Sequence, residues 1–211
     1  EVSHTFKNMI TTSFRYSISH DLINETIEMV GKHYYSRPGN IGRGESKVVS
    51  VNASLSPFKW LSSNLYTEYS YNKFKGDLYT QRLRSGGDFF YASLNNQLRF
   101  GKGWGAELGG LYRTDLTYTQ FVVGGYWQMN AGIQKSMFDN KASLKLNVSD
   151  IFYTRVNKGV INNLAQTDAW YHNVGDTRVG TLSFSYRFGK AGQQRSRNTG
   201  GSESEQNRVR S

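Results

Sequence analysis

The chain has 211 residues, a formal net charge of +10, no cysteine and a mean hydropathy of −0.61. No apolar run approaches the ~20 residues of a membrane-crossing helix, and the missing cysteines exclude disulfides and thiolate metal sites. Aromatics at 14% beside only 37% hydrophobic residues exclude wholesale disorder and fit a wall that is apolar on one face.

The predicted elements are strands throughout, because apolar and polar residues alternate with a period of two. The first, about 4–18, sets Phe6, Ile10, Phe14, Tyr16 and Ile18 against Lys7, Ser13, Arg15 and Ser17. The second, 22–32, is weakest: Ile23, Ile27 and Met29 share a face that Glu25 spoils. The third, 45–56, carries Val49, Val51, Ala53 and Leu55 against Ser50, Asn52 and Ser54. The fourth, 60–74, carries Leu61, Leu65, Tyr69 and Tyr71 against Asn64, Glu68, Ser70 and Asn72.

The fifth, 88–100, alternates Phe90, Ala92, Leu94 and Leu98 with Ser93, Asn95, Gln97 and Arg99. The sixth, 103–117, alternates Trp104, Ala106, Leu108, Tyr112 and Leu116 with Glu107, Arg113 and Asp115. The seventh, 121–133, is the clearest: Phe121, Val123, Gly125, Trp127, Met129, Ala131 and Ile133 against a mostly polar even set. The eighth, 141–153, sets Ala142, Leu144, Leu146 and Val148 against Lys141, Ser143, Lys145 and Asn147. The ninth, 178–188, sets Leu182, Phe184, Tyr186 and Phe188 against Ser183, Ser185 and Arg187.

Strands of this kind imply an all-β fold, an antiparallel transmembrane β-barrel wall with lipid on the apolar side and a polar interior. The connections alternate in length. Short ones fall at 19–21, 56–60, 100–104 and 138–141, and longer ones at 33–44, 75–87 and 154–177, with 117–120 the exception. Short turns to the periplasm and long loops to the outside are the outer-membrane pattern. Pro38 and Pro57 are expected in connections, where a missing amide costs no ladder bond. Trp60 and Trp104, with Phe58, Phe100 and Phe138, read as a periplasmic aromatic girdle; ordinary turn packing in a soluble β-protein is the other reading. The wall is expected over 1–188 and a disordered periplasmic tail over 189–211, where almost nothing apolar is left to bury. Lys and Arg are scattered rather than gathered on one face, so no nucleic acid partner is expected.

Several strings resemble a known family. Ser56-Pro-Phe-Lys-Trp-Leu61, Phe100-Gly-Lys-Gly-Trp104, Val148-Ser-Asp-Ile-Phe152, Leu182-Ser-Phe-Ser-Tyr-Arg-Phe-Gly-Lys190 and Arg37-Pro-Gly-Asn-Ile-Gly42 look like the C-terminal barrel of TonB-dependent outer-membrane receptors. They are most similar to the outer-membrane β-barrel family common in Bacteroidetes, over residues 5–190. The resemblance implies a Gram-negative outer membrane, a barrel of roughly 22 strands and a plug domain. It also implies a segment that engages TonB. Neither plug nor TonB segment is found within these residues, so the roughly nine strands are expected to be the C-terminal part of a larger barrel. The last strand resembles the signal read by the barrel-assembly machinery, with Thr181, Ser183, Tyr186 and Phe188 in its key places; serine stands where glycine is usual.

Catalytic and metal motifs are not found, and no cofactor is expected. His172 with Asp168 and Asp176 in the longest loop is the one arrangement that an omptin-like loop protease would use, the histidine acting as base towards water. Asp150 falls on the apolar parity of the eighth strand, and a bulge that turns it inward is the favoured reading. The inner charges Arg15, Glu68, Arg99, Glu107, Arg113, Asp115, Lys145 and Arg187 either pair with one another or line a water path. The reading that follows is a non-enzymatic importer of a scarce nutrient, with outer-membrane lipid, plug and missing strands as partners. Tyr35, Arg37, Tyr79, Arg82, Arg84, Trp170 and His172 are the expected ligand contacts, since aromatics and guanidinium groups suit sugars, anions and peptides. A small self-contained barrel acting as adhesin or anchor is the alternative.

Overall fold

The computed structural model describes residues 1–79, 81–162 and 169–188. The proposed tail, 189–211, lies outside them, as does Asp168. The strands are β1 (Val2–Phe6), β2 (Ile10–Ser19), β3 (Ile23–Val30), β4 (His33–Asn40), β5 (Arg43–Phe58), β6 (Leu61–Leu78), β7 (Gln81–Gly101), β8 (Trp104–Arg113), β9 (Leu116–Tyr118), β10 (Phe121–Val123), β11 (Tyr126–Met137), β12 (Ala142–Val148), β13 (Asn157–Ile161), β14 (Ala169–Asn173) and β15 (Gly180–Tyr186). No helix accompanies them among the described residues.

Among the described residues one sheet of nine strands makes the wall, in the order β1-β2-β5-β6-β7-β8-β11-β12-β15, every pair antiparallel. The sheet is open, with β1 and β15 as its edges. Tight turns at 7–9, 59–60, 102–103 and 138–141 join strands at one end. All three excursions leave at the other end: the hairpin β3–β4, and the strands β9, β10, β13 and β14, which pair as β14-β13-β10-β9.

Period two becomes two faces through the register. Leu61, Leu98, Ala106, Ile133, Leu146 and Leu182 stand side by side across six strands. The neighbouring row reads Gln97, Glu107, Gly132, Asn147 and Thr181. A face of exposed leucines, valines and aromatics beside a polar one needs two solvents, hydrocarbon outside and water inside. Aromatics close the apolar band at both ends. Phe58 stacks on Trp60 at the turn end (5.3 Å), while Phe90 meets Tyr112 at the loop end (6.3 Å). Trp104 and Tyr112 are eight residues apart on β8, ~27 Å along a strand before tilt, close to the usual apolar band.

The wall has nine strands, but not the nine expected. The segment 4–18 is a hairpin: Lys7 and Asn8 take positive φ (49° and 54°) and the Met9 amide bonds Phe6 O at 3.0 Å. Phe6 lies opposite Ile10, so the three-residue turn returns both to the same face and the alternation runs through it unbroken. The segment 22–32 is not in the wall. Its strand β3 folds back on β4 through Gly31 (φ 63°), in the manner of a hairpin turn with glycine first. The connection 19–21 is therefore at the loop end and not among the periplasmic turns.

The expected loop 75–87 is ladder: β6 and β7 pair as far as Leu78 and Gln81, rising past the rest of the wall. The segment 121–133 breaks at Gly124–Gly125. A Cβ on Gly125 would lie 2.5 Å from the Arg113 carbonyl oxygen, so a side chain is excluded where the chain changes sheets. Likewise 103–117 leaves the wall at Arg113 and 141–153 leaves it at Val148. The two prolines lie on strands, in the places strands tolerate: Pro38 in the two-stranded β4 and Pro57 at the register shift between Leu55 and Phe58.

Above the membrane level β6 and β7 exchange the polarity of their faces. On the inner parity, Glu68 and Ser70 give way to Phe74, Leu78 and Leu83. These three pack with Ile41 in a core whose members are at most 6% exposed. Each such side chain contributes about 1.5–3 kcal/mol.

Candidate functional site

The inner wall is polar by register. Asn95, Gln97, Glu107, Asn130, Lys145 and Asn147 border a depression of ≈ 390 Å³. Lys145 Nζ donates to Glu107 Oε2 at 2.8 Å across the side-chain-free Gly132. Higher up, the Arg113 guanidinium lies over the Tyr126 ring at 4.7 Å and donates to Gly124 O at 3.0 Å. Three more of the inner charges take separate partners. Arg15 meets Glu1 at 3.2 Å, Glu68 accepts the Tyr66 hydroxyl at 2.5 Å, and Asp115 accepts the Gly125 amide at 2.6 Å.

Over the inner face of the raised β6–β7 hairpin the loops fold into a cap. Tyr118 sets its edge against Phe74 (5.6 Å) and Ser85 donates to Thr119 O (2.5 Å). Thr119 and Gln120 are fully buried there. Gln120 then holds the β3–β4 hairpin: its Oε1 accepts from Ile27 N and its Nε2 donates to Ile27 O, both at 2.8 Å. The amide side chain does what a neighbouring strand would do. The hairpin base is closed by Leu22 N to Gly42 O (2.9 Å) and Ile41 N to Leu22 O (2.8 Å).

Of the expected contact residues, the structure brings two together. The Arg37 guanidinium lies over the Tyr79 ring at 5.0 Å and is ion-paired with Glu28. The Tyr79 hydroxyl shares a 2.5 Å hydrogen bond with Thr26. Tyr35 stands opposite Glu28 on the same hairpin. Arg82 and Arg84 share the outward face of β7, Arg82 at 3.6 Å from Asp77 and Arg84 opposite Lys75. Trp170, 74% exposed, and His172 are on β14, in the separate four-stranded sheet. A lysine, Lys158, faces His172 across that ladder.

Asp150 is not in a bulge. It sits in a turn beyond β12 with φ 44° and is 1% exposed. Its Oδ1 accepts the Thr154 amide (3.0 Å), and its Oδ2 accepts the Arg155 amide (3.1 Å) and the Thr177 hydroxyl (2.6 Å). Burial pushes its proton affinity up, but the bonds from Thr177, Thr154 and Arg155 outweigh burial and hold the carboxyl below its ordinary value. One side chain thereby ties both ends of the excursion 149–179. Neither this hub nor Gln120 is visible in the alternation, which records faces and not partners.

Residues 1–186 match the outer membrane protein beta-barrel family. The chain belongs to that family. As an outer-membrane β-barrel protein it sits in the outer membrane, with the exposed leucines and aromatics of the wall against lipid and the turn end in the periplasm. Comparison with curated proteins and with solved structures gives no match.

Proposed function

We propose that this outer-membrane β-barrel protein is part of the wall of an importer of the TonB-dependent receptor type, and not an enzyme. The observation that carries the reading is the pairing of a polar inner face with a cap folded over that same face. Loops of an anchor need only be soluble; here Gln120, Thr119 and Ser85 hold them against the mouth of the polar side. Tyr35, Arg37, Tyr79, Trp170 and His172 are the proposed ligand contacts. An aromatic ring beside a guanidinium suits a sugar, an anion or a peptide end.

The proposal includes further partners. A plug and additional strands would complete the lumen, and TonB would supply the energy through a segment of the plug-bearing part. The barrel-assembly machinery would read the edge strand β15, where Leu182, Phe184 and Tyr186 face outward and Thr181 and Ser183 inward. Growth of deletion and complemented cells on single limiting nutrient classes tests the reading: ferric chelates, corrinoids, oligosaccharides and peptides. A deficit confined to one class, with uptake of that class abolished by a protonophore, is expected. No deficit in any class while the gene is expressed, or uptake that survives the protonophore, overturns it.

A further inference from the structure

One row of the inner face carries opposite charges that do not meet. It runs across four strands as Glu68–Tyr91–Arg113–Tyr126, each residue directly opposite the next. The outward neighbours along those strands are Tyr69, Phe90, Tyr112 and Trp127, so the row lies level with the upper aromatic border. It is the last row that β8 and β11 share before Gly124–Gly125, where the chain turns into the cap. The cationic end is double. The Arg113 guanidinium lies over the Tyr126 ring at 4.7 Å and that of Arg155 over the same ring at 5.8 Å. The acids nearest to them in sequence, Asp115 and Asp150, are engaged by the backbone amides of Gly125, Thr154 and Arg155. Gly124 O takes one Arg113 N–H at 3.0 Å, while Arg113 Nε, shielded from solvent, has no partner among the described residues. The anionic end is single. Glu68 Oε2 accepts the Tyr66 hydroxyl at 2.5 Å, and Oε1 has no partner among the described residues. Glu68 and Arg113 stand two strands apart, ~10 Å, too far for an ion pair. The rings of Tyr66 and Tyr91, 5.9 Å apart, fill the interval.

We infer that this row is a binding station for a short peptide, three or four residues long, with both ends free. The peptide carboxylate takes the N–H groups of Arg113 and Arg155, the ammonium takes Glu68, and the backbone crosses Tyr66 and Tyr91. Length follows from the strand spacing. Glu68 to Arg113 is ~10 Å and Glu68 to Tyr126 ~14 Å, while an extended peptide spans ~3.3–3.6 Å per residue. Charge sets the other classes aside. A bare anion that satisfies the two guanidinium groups faces Glu68 on the same row. A neutral sugar leaves all three charges unmatched, and a single amino acid cannot reach both ends. The inference rests on the importer reading and narrows it to peptides. Below the row the polar depression bordered by Asn95, Asn130 and Lys145 continues the path inward.

The test uses the full protein purified from outer membranes in detergent, with binding read by calorimetric titration. Probes are trialanine, its N-acetyl form, its C-terminal amide, and alanine alone. Trialanine is expected to bind, and capping either end to weaken it by about tenfold or more, since each cap removes a charge-assisted hydrogen bond. E68Q should weaken trialanine by about as much and leave the N-acetyl form unchanged. R113Q/R155Q should weaken trialanine and leave the amide unchanged. A fold lost in either variant would weaken capped and free peptides alike, so the crossed pattern separates recognition from folding. No binding of trialanine, equal binding of all four probes, or equal weakening of capped and free peptide by E68Q overturns the inference. Uptake of trialanine by cells is followed in parallel with and without a protonophore. End-dependent binding with protonophore-resistant uptake overturns the importer reading and leaves the station standing. Protonophore-sensitive uptake of another nutrient class, with no peptide binding, does the reverse.

Discussion

Gln120 hydrogen-bonds both the amide and the carbonyl of Ile27, 93 positions away in the chain, at 2.8 Å each. A side-chain amide can pair with both groups of one residue only if it lies in the plane of the hairpin, where an extra strand would run. Gln120 is itself held by its backbone, since Gln120 O accepts from Asn162 N at 2.7 Å. The hairpin, the β9–β10 turn and the β13 connection are thus joined at one residue.

Gln120→Ala should release the hairpin from the cap while leaving the wall intact. Two buried hydrogen bonds are lost, about 1 kcal/mol each, plus the desolvated groups of Ile27 left behind, for a total of ~2–4 kcal/mol. Hydrogen exchange should quicken across 23–40 and not in β11 or β12. Unchanged protection in 23–40 would show that the core around Ile41 holds the hairpin alone.

Asp150 makes the cap sensitive to acid. Its folded pKa is below the ordinary carboxylate value of ~3.9, so the stabilisation is fully present above about pH 4 and is lost as pH falls through the folded value. Protection of the Thr154 and Arg155 amides, corrected for intrinsic exchange, should fall on acidification. Asp150→Asn should show the weakened state at neutral pH and little further change in acid. Identical profiles for the two proteins would remove Asp150 from its place as hub.

Single cysteines test the two faces. Cysteine at Leu94, Leu108, Trp127, Met129 or Leu144 should resist a membrane-impermeant thiol reagent, and cysteine at Asn95, Glu107, Gln128 or Lys145 should react. The first set lies on the apolar parity and the second on the polar one throughout the register. Equal labelling of both sets would contradict a lipid-facing wall.

Two glycines should behave oppositely. A Cβ on Gly76 would lie 2.2 Å from the Ile41 carbonyl oxygen, which is backbone and cannot rotate away. Gly76→Ala should therefore part the hairpin base from β6 at a cost of ~2–4 kcal/mol. At Gly31 nothing lies within 4 Å of a Cβ, and the positive φ alone costs about 1 kcal/mol. Denaturant titration of the cap, followed by exchange at the Ile41 amide, should rank the two in that order.

The wall was legible because two solvents impose a period of two on every residue between them, and that pattern survives in sequence from Ile10 to Tyr186. Its interruptions were hidden by parity. The turn at 7–9 returns Phe6 and Ile10 to one face, and Gly124–Gly125 keeps Phe121 in phase with Trp127 although they belong to different sheets. The rising part of β6 and β7 beyond residue 74 reads as loop because Lys75, Arg82 and Arg84 look like solvated loop charges. They alternate with Phe74, Leu78 and Leu83, but the apolar face had changed sides. Of the expected contacts, Arg37 and Tyr79 come together only through the fold. Each is recognisable as a residue type, and the meeting requires a hairpin whose first strand periodicity assigned to the wall and whose second, with Arg37, it assigned to a loop.

Each excursion is zipped shut at its root, and this makes the protein a natural display scaffold. At the hairpin, Leu22 bonds Gly42 and Ile41 bonds Leu22, so the two legs are joined before the chain reaches its tip at Gly31 and Lys32. A foreign peptide spliced at that tip would add length to a closed loop, whose entropy grows only slowly with length, and would leave Ser19 opposite Gly44 in the wall. The graft would ride clear of the membrane on a stalk the host sequence already holds upright.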